Sequence, residues 1–403
     1  MTTDGAADEQ LKQKEDDDRR RIVYVAPHSP SAVGYDSQEG FLEMAHYHQK
    51  YCQLMIEAGY EVYFLHFGEE YRRFTHEYGH EVRQLPVTIG SEFNTEVSVR
   101  LPIEVFRLDP DILHVHGNPP KVLFGLPLIW FLHAKLVLQN HGASLNASKW
   151  RVKLFYFLFR GVLVPTDCTI LSVNRAEIEN LANANVSDRI QYMPNAVDTE
   201  FYDRENTNAA KEAVGLPTTQ SYLVYVGRID ESKGVTYLIE AFDELVDRYP
   251  DLELVLVYGA YKDDVLKRIE TLCMELGLEG RIRFVGRVPE EYLPHYYNAG
   301  DVAVFPSVNE GFGVVTLEAM SCGTPVVGTT AHTEGDQRHL IDGENAAIAE
   351  AGSTESLTEV IDILLSNQNL AAEIADQGYR YVRENHTWTV IKDNLRSVYT
   401  EQQ

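Results

Sequence analysis

The chain has 403 residues, 44% of them hydrophobic, and a formal net charge of -26. That length accommodates two domains of ordinary size, and that charge excludes a general nucleic-acid binder. The four cysteines, Cys52, Cys168, Cys273 and Cys322, are scattered without a CxxC pair, which fits reduced thiols better than disulfides or a zinc site.

Acids are plentiful and lysine is scarcer than arginine. This is the composition of a halophile's solvated surface, with an ordinary acidic cytosolic protein as the other reading. Residues 1–20 carry almost no large apolar group and read as a disordered acidic tail without a signal peptide; Asp16-Asp17-Asp18 lies in that tail and is not counted as a metal site. From Arg21 onward strands and helices alternate. RIVYVAP is a first strand, Phe41 to Ala58 a helix and YEVYFLHFG a second strand, followed by DILHVHG, KLVLQNHG, CTILSVN and RIQYMPN. The most apolar run, Val122 to Leu132, is too short to span a bilayer, so a soluble, cytoplasmic chain is expected. After the polar stretch Asp203 to Gln220 the pattern restarts with YLVYVGR, LELVLVYG, IRFVGR, VAVFPS and TPVVGT. Short apolar strands alternating with longer helices imply parallel, doubly wound sheets. The reading is α/β, with Rossmann-like domains over 21–197 and 198–385 and a C-terminal helix, 386–403, packing back toward the first.

Neither domain carries GxGxxG after its first strand, nor a P-loop, which removes a nicotinamide dehydrogenase. Ligands of open parallel sheets still bind beyond the carboxyl ends of the strands, and two such domains can face each other across a cleft. Three stretches of the second domain end there. VGRIDESKG offers Arg228 and Lys233; FVGRVPEEYL holds Gly286, Arg287 and Val288; NEGFG brings Gly311, Phe312 and Gly313 into a predicted helix, Val314 to Cys322. A glycine-flanked helix start exposes amides to an anion, and two cations can clamp the same phosphates. Each element alone is weak, since a loop cation is usually just solvated. Glu310 precedes the turn, where it could merely serve the helix dipole. Glu318 has Val314, Val315, Ser321 and Cys322 as its helical neighbours, so its carboxylate needs a partner, structural or ligand. Taken together in this order, the elements describe a pyrophosphate between two hydroxyl-bearing groups. That is a nucleotide-sugar, with Glu310 on the sugar and Glu318 on the ribose.

At this point the sequence resembles the retaining glycosyltransferases of family 4, which have the GT-B fold. Their signature is two glutamates separated by seven residues, met here as Glu310 and Glu318 in EGFGVVTLE. EAMSCGTPVV, GRIDESKGVTYLIEAF and MPNAVDTEFY match the usual neighbours in order. The resemblance runs from Arg21 onward and is strongest from Met193 to Thr329. It implies transfer of a sugar from a nucleotide-sugar with retention, by front-face attack, without a divalent metal or other cofactor. By the same resemblance His141, Arg228, Lys233 and Glu310 carry catalysis, Glu318 binds the ribose, and the backbone of Gly286 to Val288 meets the base. His116 in DILHVHGN and His141 in LVLQNHGAS are candidates beside the reacting sugar, each also readable as a structural histidine. The family's Gly-Gly loop is replaced by PHSPSAVGYDSQEGF, where Gly34 stands as the acceptor-side candidate, and Ala196 takes the place of a glycine. The alternatives are a nucleotide-sugar epimerase on the same fold and a donor-binding protein without catalysis. For a pyridoxal-phosphate phosphorylase no lysine stands out.

One stretch points to a membrane. From Ile112 to Thr166 there is no Asp or Glu, while Lys121, Lys135, Lys149, Arg151, Lys153 and Arg160 are present. Within it, KWRVKLFYFLFRGVLV is apolar on more than one helical face. The expectation is a membrane-facing surface over Trp150–Val164, peripheral on the inner face of the cell membrane, with a lipid-linked or glycolipid acceptor. A buried helix or a dimer contact is the other reading.

Overall fold

A computed structural model describes residues 19–27, 46–90, 96–116, 133–140, 168–173, 189–332 and 339–401. Gly34, His141 and the Trp150–Val164 stretch lie outside the described residues. The chain divides into two compact units, one reaching to Met193 and resuming at Lys392, the other running from Pro194 to Ile391. The helix Trp388–Thr400 therefore starts in the second unit and ends in the first.

Among the described residues the first unit holds β1 (Arg21–Ala26), β2 (Glu61–Gly68), β3 (Arg72–Thr75), β4 (Glu81–Pro86), β5 (Ile112–His116), β6 (Lys135–Asn140), β7 (Cys168–Ser172) and β8 (Ile190–Tyr192). Their order is β3-β4-β2-β1-β5-β6-β7-β8. Neighbours are parallel except β3, which runs antiparallel to β4. β1, β5 and β7 are buried almost throughout, as expected of strands covered on both faces. Val23, Val25, Leu65, Leu113 and Leu136 form the centre of that core, each such side chain contributing roughly 1.5–3 kcal/mol on burial. Tyr399 ties the last helix into this unit: its hydroxyl lies 2.9 Å from Tyr24 Oη and 2.6 Å from His114 Nδ1.

The second unit holds β9 (Ser221–Val226), β10 (Leu252–Val257), β11 (Ile282–Gly286), β12 (Val302–Val304), β13 (Val326–Thr329) and β14 (Ala347–Ala349), in the order β11-β10-β9-β12-β13-β14. All pairs are parallel. Leu238, Ile239 and Phe242 of the helix Val235–Val246 pack with Leu254, Leu256 and Val304 of the sheet. Strand order reverses between β9 and β12, and such a switch point is where ligands of open parallel sheets bind, beyond the carboxyl ends of the strands. Both loops carry candidate residues.

The sequence reading passed over the hairpin of β3 and β4, and β14. Arg72-Arg73-Phe74-Thr75 has no apolar alternation, and β4 places Glu81 and Arg83 among its strand positions. Arg83 is accommodated by ion pairs, 2.5 Å to Glu81 and 2.6 Å to Glu104. β14 is three residues long.

Candidate active site

The loop after β9 is built around Asp230. Its carboxylate accepts from the Ser232 backbone N–H at 2.9 Å and from the Ser232 hydroxyl, and Arg228 Nη2 lies 3.2 Å from it. Burial pushes the Asp230 carboxyl upward, but the Ser232 hydroxyl and Arg228 hold it below its ordinary value. The Arg228 side chain itself remains 64% exposed. Its carbonyl accepts from Tyr225 Oη, which pins the strand end.

The loop after β12 is stitched to this one. Val308 and Asn309 N–H both donate to the Ser232 carbonyl, at 2.9 and 3.2 Å. Gly234, at φ +64°, brings its backbone so close that a Cβ there would stand 2.1 Å from the Pro306 carbonyl oxygen. This contact sets Lys233 against Glu310. Lys233 Nζ donates to Glu310 Oε2 at 2.5 Å, Ser307 Oγ donates to the same oxygen at 3.2 Å, and Oε1 accepts from Gly311 N–H at 3.0 Å. The side chains of Lys233 and Glu310 are only 14% and 10% exposed. Burial raises the cost of ionising Glu310, yet the Lys233 ammonium beside it holds the carboxyl below its ordinary value.

Gly311 to Gly313 then turn into the helix Val314–Ser321 with Gly313 at φ +80° as its N-cap. A glycine has no side chain to satisfy the first amides, which leaves the helix start suited to an anion. The ring of Phe312 is buried, 5% exposed and stacked on His339 at 4.5 Å.

Glu318 sits little more than one turn along that helix. Its Oε2 accepts from Tyr297 Oη at 2.7 Å. Some of its surface is open, but burial pushes the carboxyl up to about 7, Glu290 adds to the rise, and the Tyr297 hydrogen bond opposes it. Gly286 ends β11 at φ +77°, with its carbonyl accepting from Tyr258 N–H at 3.0 Å; Arg287 is exposed and Val288 half-buried beyond it. In the first unit His116 is 1% exposed, its ring stacked on His114 at 4.4 Å and edge-on to His48 and Tyr51.

The structure thus brings Lys233, Glu310, Gly311 and Gly313 together, with Arg228 on the same loop as Lys233 and Glu318 further along the helix. Ser307, Tyr297 and His332 were missed. His332 follows β13 and places Nε2 3.9 Å from Glu310 Oε2. The available signal was its position just beyond a strand adjacent to β12. Among the described residues no group of three or more His, Cys, Asp or Glu could hold a metal ion, and no helix is long and apolar enough to cross a membrane.

Two family models match the chain: Glycosyl transferases group 1 over residues 206–381 and Glycosyltransferase Family 4 over residues 45–201. A D-inositol 3-phosphate glycosyltransferase of Corynebacterium efficiens is 30% identical over 316 residues, covering 73% of this chain and 72% of that one. The protein of the same description from Corynebacterium urealyticum is 36% identical over 235 residues, but there the match spans 56% of this chain and about half of the relative, 54%. Among solved structures, Anabaena HepE in complex with UDP and glucose aligns with a TM-score of 0.71 at 17% identity, over 94% of this chain and 98% of that one. At that identity the likeness concerns the fold alone.

Proposed function

The chain belongs to the group 1, family 4 glycosyltransferases of GT-B architecture, and on that premise we propose that it moves a sugar from a nucleoside-diphosphate donor to an acceptor hydroxyl with retention and without a metal. The observation that carries this reading is the Lys233–Glu310 pair, buried beside a glycine-capped helix start where strand order reverses. UDP and glucose occupy the same fold in HepE. Lys233 and Arg228 meet the diphosphate, Glu310 the sugar, Glu318 the ribose and the backbone of Gly286 to Val288 the base. The bond from the anomeric carbon to the phosphate oxygen breaks, the acceptor oxygen bonds to that carbon on the same face, and the acceptor's proton passes to the leaving diphosphate. The protein's part is to stabilise the departing charge with Lys233, Arg228 and the helix amides. His141 is assigned to catalysis beside the reacting sugar, and His116 and Gly34 to the acceptor side.

The acceptor is a lipid-linked molecule, a reading supported by the acid-free stretch Ile112 to Thr166 and its Trp150–Val164 segment. A phosphorylated polyol is the second reading, favoured by the description of the corynebacterial relatives. Purified protein is incubated with UDP-, GDP- and ADP-sugars, with and without EDTA, and free nucleotide is measured. Transfer or slow hydrolysis that survives EDTA supports the proposal. An isomerised sugar points to the epimerase, binding alone to a non-catalytic protein, and activity lost in chelator and restored by magnesium removes the metal-free mechanism. Flotation with anionic liposomes, against inositol phosphate as acceptor, separates the two acceptor classes.

A further inference from the structure

His332 stands beside the sugar end of the proposed donor site and has no role in the mechanism above. Its side chain is fully buried. The ring's Nδ1 accepts from the Thr329 backbone N–H at 3.2 Å, and the nearby Thr329 hydroxyl spends its own hydrogen on the Ser307 carbonyl at 2.5 Å. Nδ1 is therefore the acceptor, and burial keeps the ring neutral by pushing it down to about 4. The single ring proton is left on Nε2.

Nε2–H is a buried donor with no hydrogen-bond partner among the described residues. Glu310 Oε2 lies 3.9 Å from it, too far for a direct bond. A third atom resolves the mismatch: an oxygen about 2.8 Å from both Nε2 and Oε2 completes a triangle on that base. Such an oxygen must accept from a neutral N–H and donate to a carboxylate, which a hydroxyl does and a phosphate or carboxylate does not. Gly313 lines the same corner, where a Cβ would stand 3.2 Å from His332 Cδ2 and 3.4 Å from Glu310 Cγ, so a side chain there would crowd both residues. Oε2 now accepts from Lys233 and Ser307, and transfer of Lys233 to the diphosphate releases one of its acceptor positions.

We propose that His332 is a specificity-determining residue of the donor site, with Nε2–H and Glu310 Oε2 together gripping one hydroxyl of the donor sugar. This rests on the nucleotide-sugar reading and assigns to one histidine the choice among sugars at one ring position.

The test separates sugar from nucleotide. Calorimetry is run with UDP, GDP and ADP, and with UDP-glucose, GDP-mannose and ADP-glucose, on wild type, His332→Ala and His332→Gln. The expected result for His332→Ala is unchanged affinity for the preferred nucleoside diphosphate and a tenfold or greater loss for its sugar conjugate, with partial recovery in His332→Gln, which keeps an N–H donor. Monodeoxy analogues of that donor, offered to wild type, are expected to show one position whose removal costs tenfold, a preference absent from His332→Ala. Equal losses for diphosphate and conjugate, or no loss for either, overturn the role of His332 and leave the transferase standing. The analogue series needs no variant to fold, and a wild type indifferent to every deoxy position also overturns it. Wild type that binds neither diphosphates nor conjugates removes the donor reading itself, and this inference with it.

Discussion

Lys233 Nζ and Glu310 Oε2, 77 residues apart in sequence, meet at 2.5 Å and join the loops leaving β9 and β12. Removing one member of so buried a pair strands the other charge, at a cost of roughly 3 kcal/mol or more. Lys233→Ala is therefore expected to lower the melting temperature clearly, and Lys233→Ala combined with Glu310→Gln to recover most of that loss without recovering donor turnover. Thermal melts beside nucleotide-release assays check both halves. A double variant no more stable than the single one contradicts the pairing as the source of the cost.

Arg228 provides the contrast. Its side chain is 64% exposed and paired with Asp230 at 3.2 Å, so Arg228→Ala should change stability by no more than about 0.5 kcal/mol. Affinity for the diphosphate should nevertheless fall tenfold or more, since a charged hydrogen bond contributes roughly 1.5–3 kcal/mol. Unchanged affinity by calorimetry would remove Arg228 from the donor site.

Gly234→Ala tests the approach that creates the site. The added Cβ meets the Pro306 carbonyl at 2.1 Å from a backbone at φ +64°, whereas at Gly277, φ +69°, a Cβ meets nothing within 4 Å. Gly277→Ala should cost about 1 kcal/mol from backbone strain alone, and Gly234→Ala about 3 kcal/mol or more, together with donor binding. Equal losses in denaturant melts for the two variants would show that the contact with Pro306 is not what seats Lys233.

The contrast between these residues shows what a sequence can carry. The buried strands were legible because β9, β10 and β12 are short apolar runs bounded by Gly or Pro, and the loops after them because glycines mark a helix start. The pairing of Lys233 with Glu310 has no local signature. It follows from the order in which β9 and β12 sit side by side, which the chain specifies only through the whole sheet. The Tyr297 partner of Glu318 was hidden for the same reason, although the apolar neighbours of Glu318 showed that a partner was needed. β3 was hidden by its charge, because Arg73 is satisfied by Glu81 on the neighbouring strand, 2.5 Å away.

At Glu318 the proposed ribose contact and folding make opposite demands on its charge. Its carboxyl is pushed up to about 7 by burial and by Glu290, against the pull of Tyr297, whereas an unfolded glutamate titrates near 4.3. A group whose folded value is raised contributes its full stability below the unfolded value and loses it as pH rises through the folded one. The melting temperature should thus gain from this residue at pH 5 and lose that gain by pH 8. Donor affinity should move the other way, since ribose hydroxyls donate to the ionised carboxylate: at pH 6 about one site in ten is ionised, so affinity is expected to be about tenfold weaker than at pH 8. Glu318→Gln, neutral at every pH, should bind the donor at least tenfold more weakly at pH 8 and flatten both trends. Calorimetry and melting curves at half-unit steps from pH 5.5 to 8 read the two slopes independently. A Gln variant that keeps the wild-type pH dependence of donor affinity would place the titrating group elsewhere and withdraw Glu318 from the ribose.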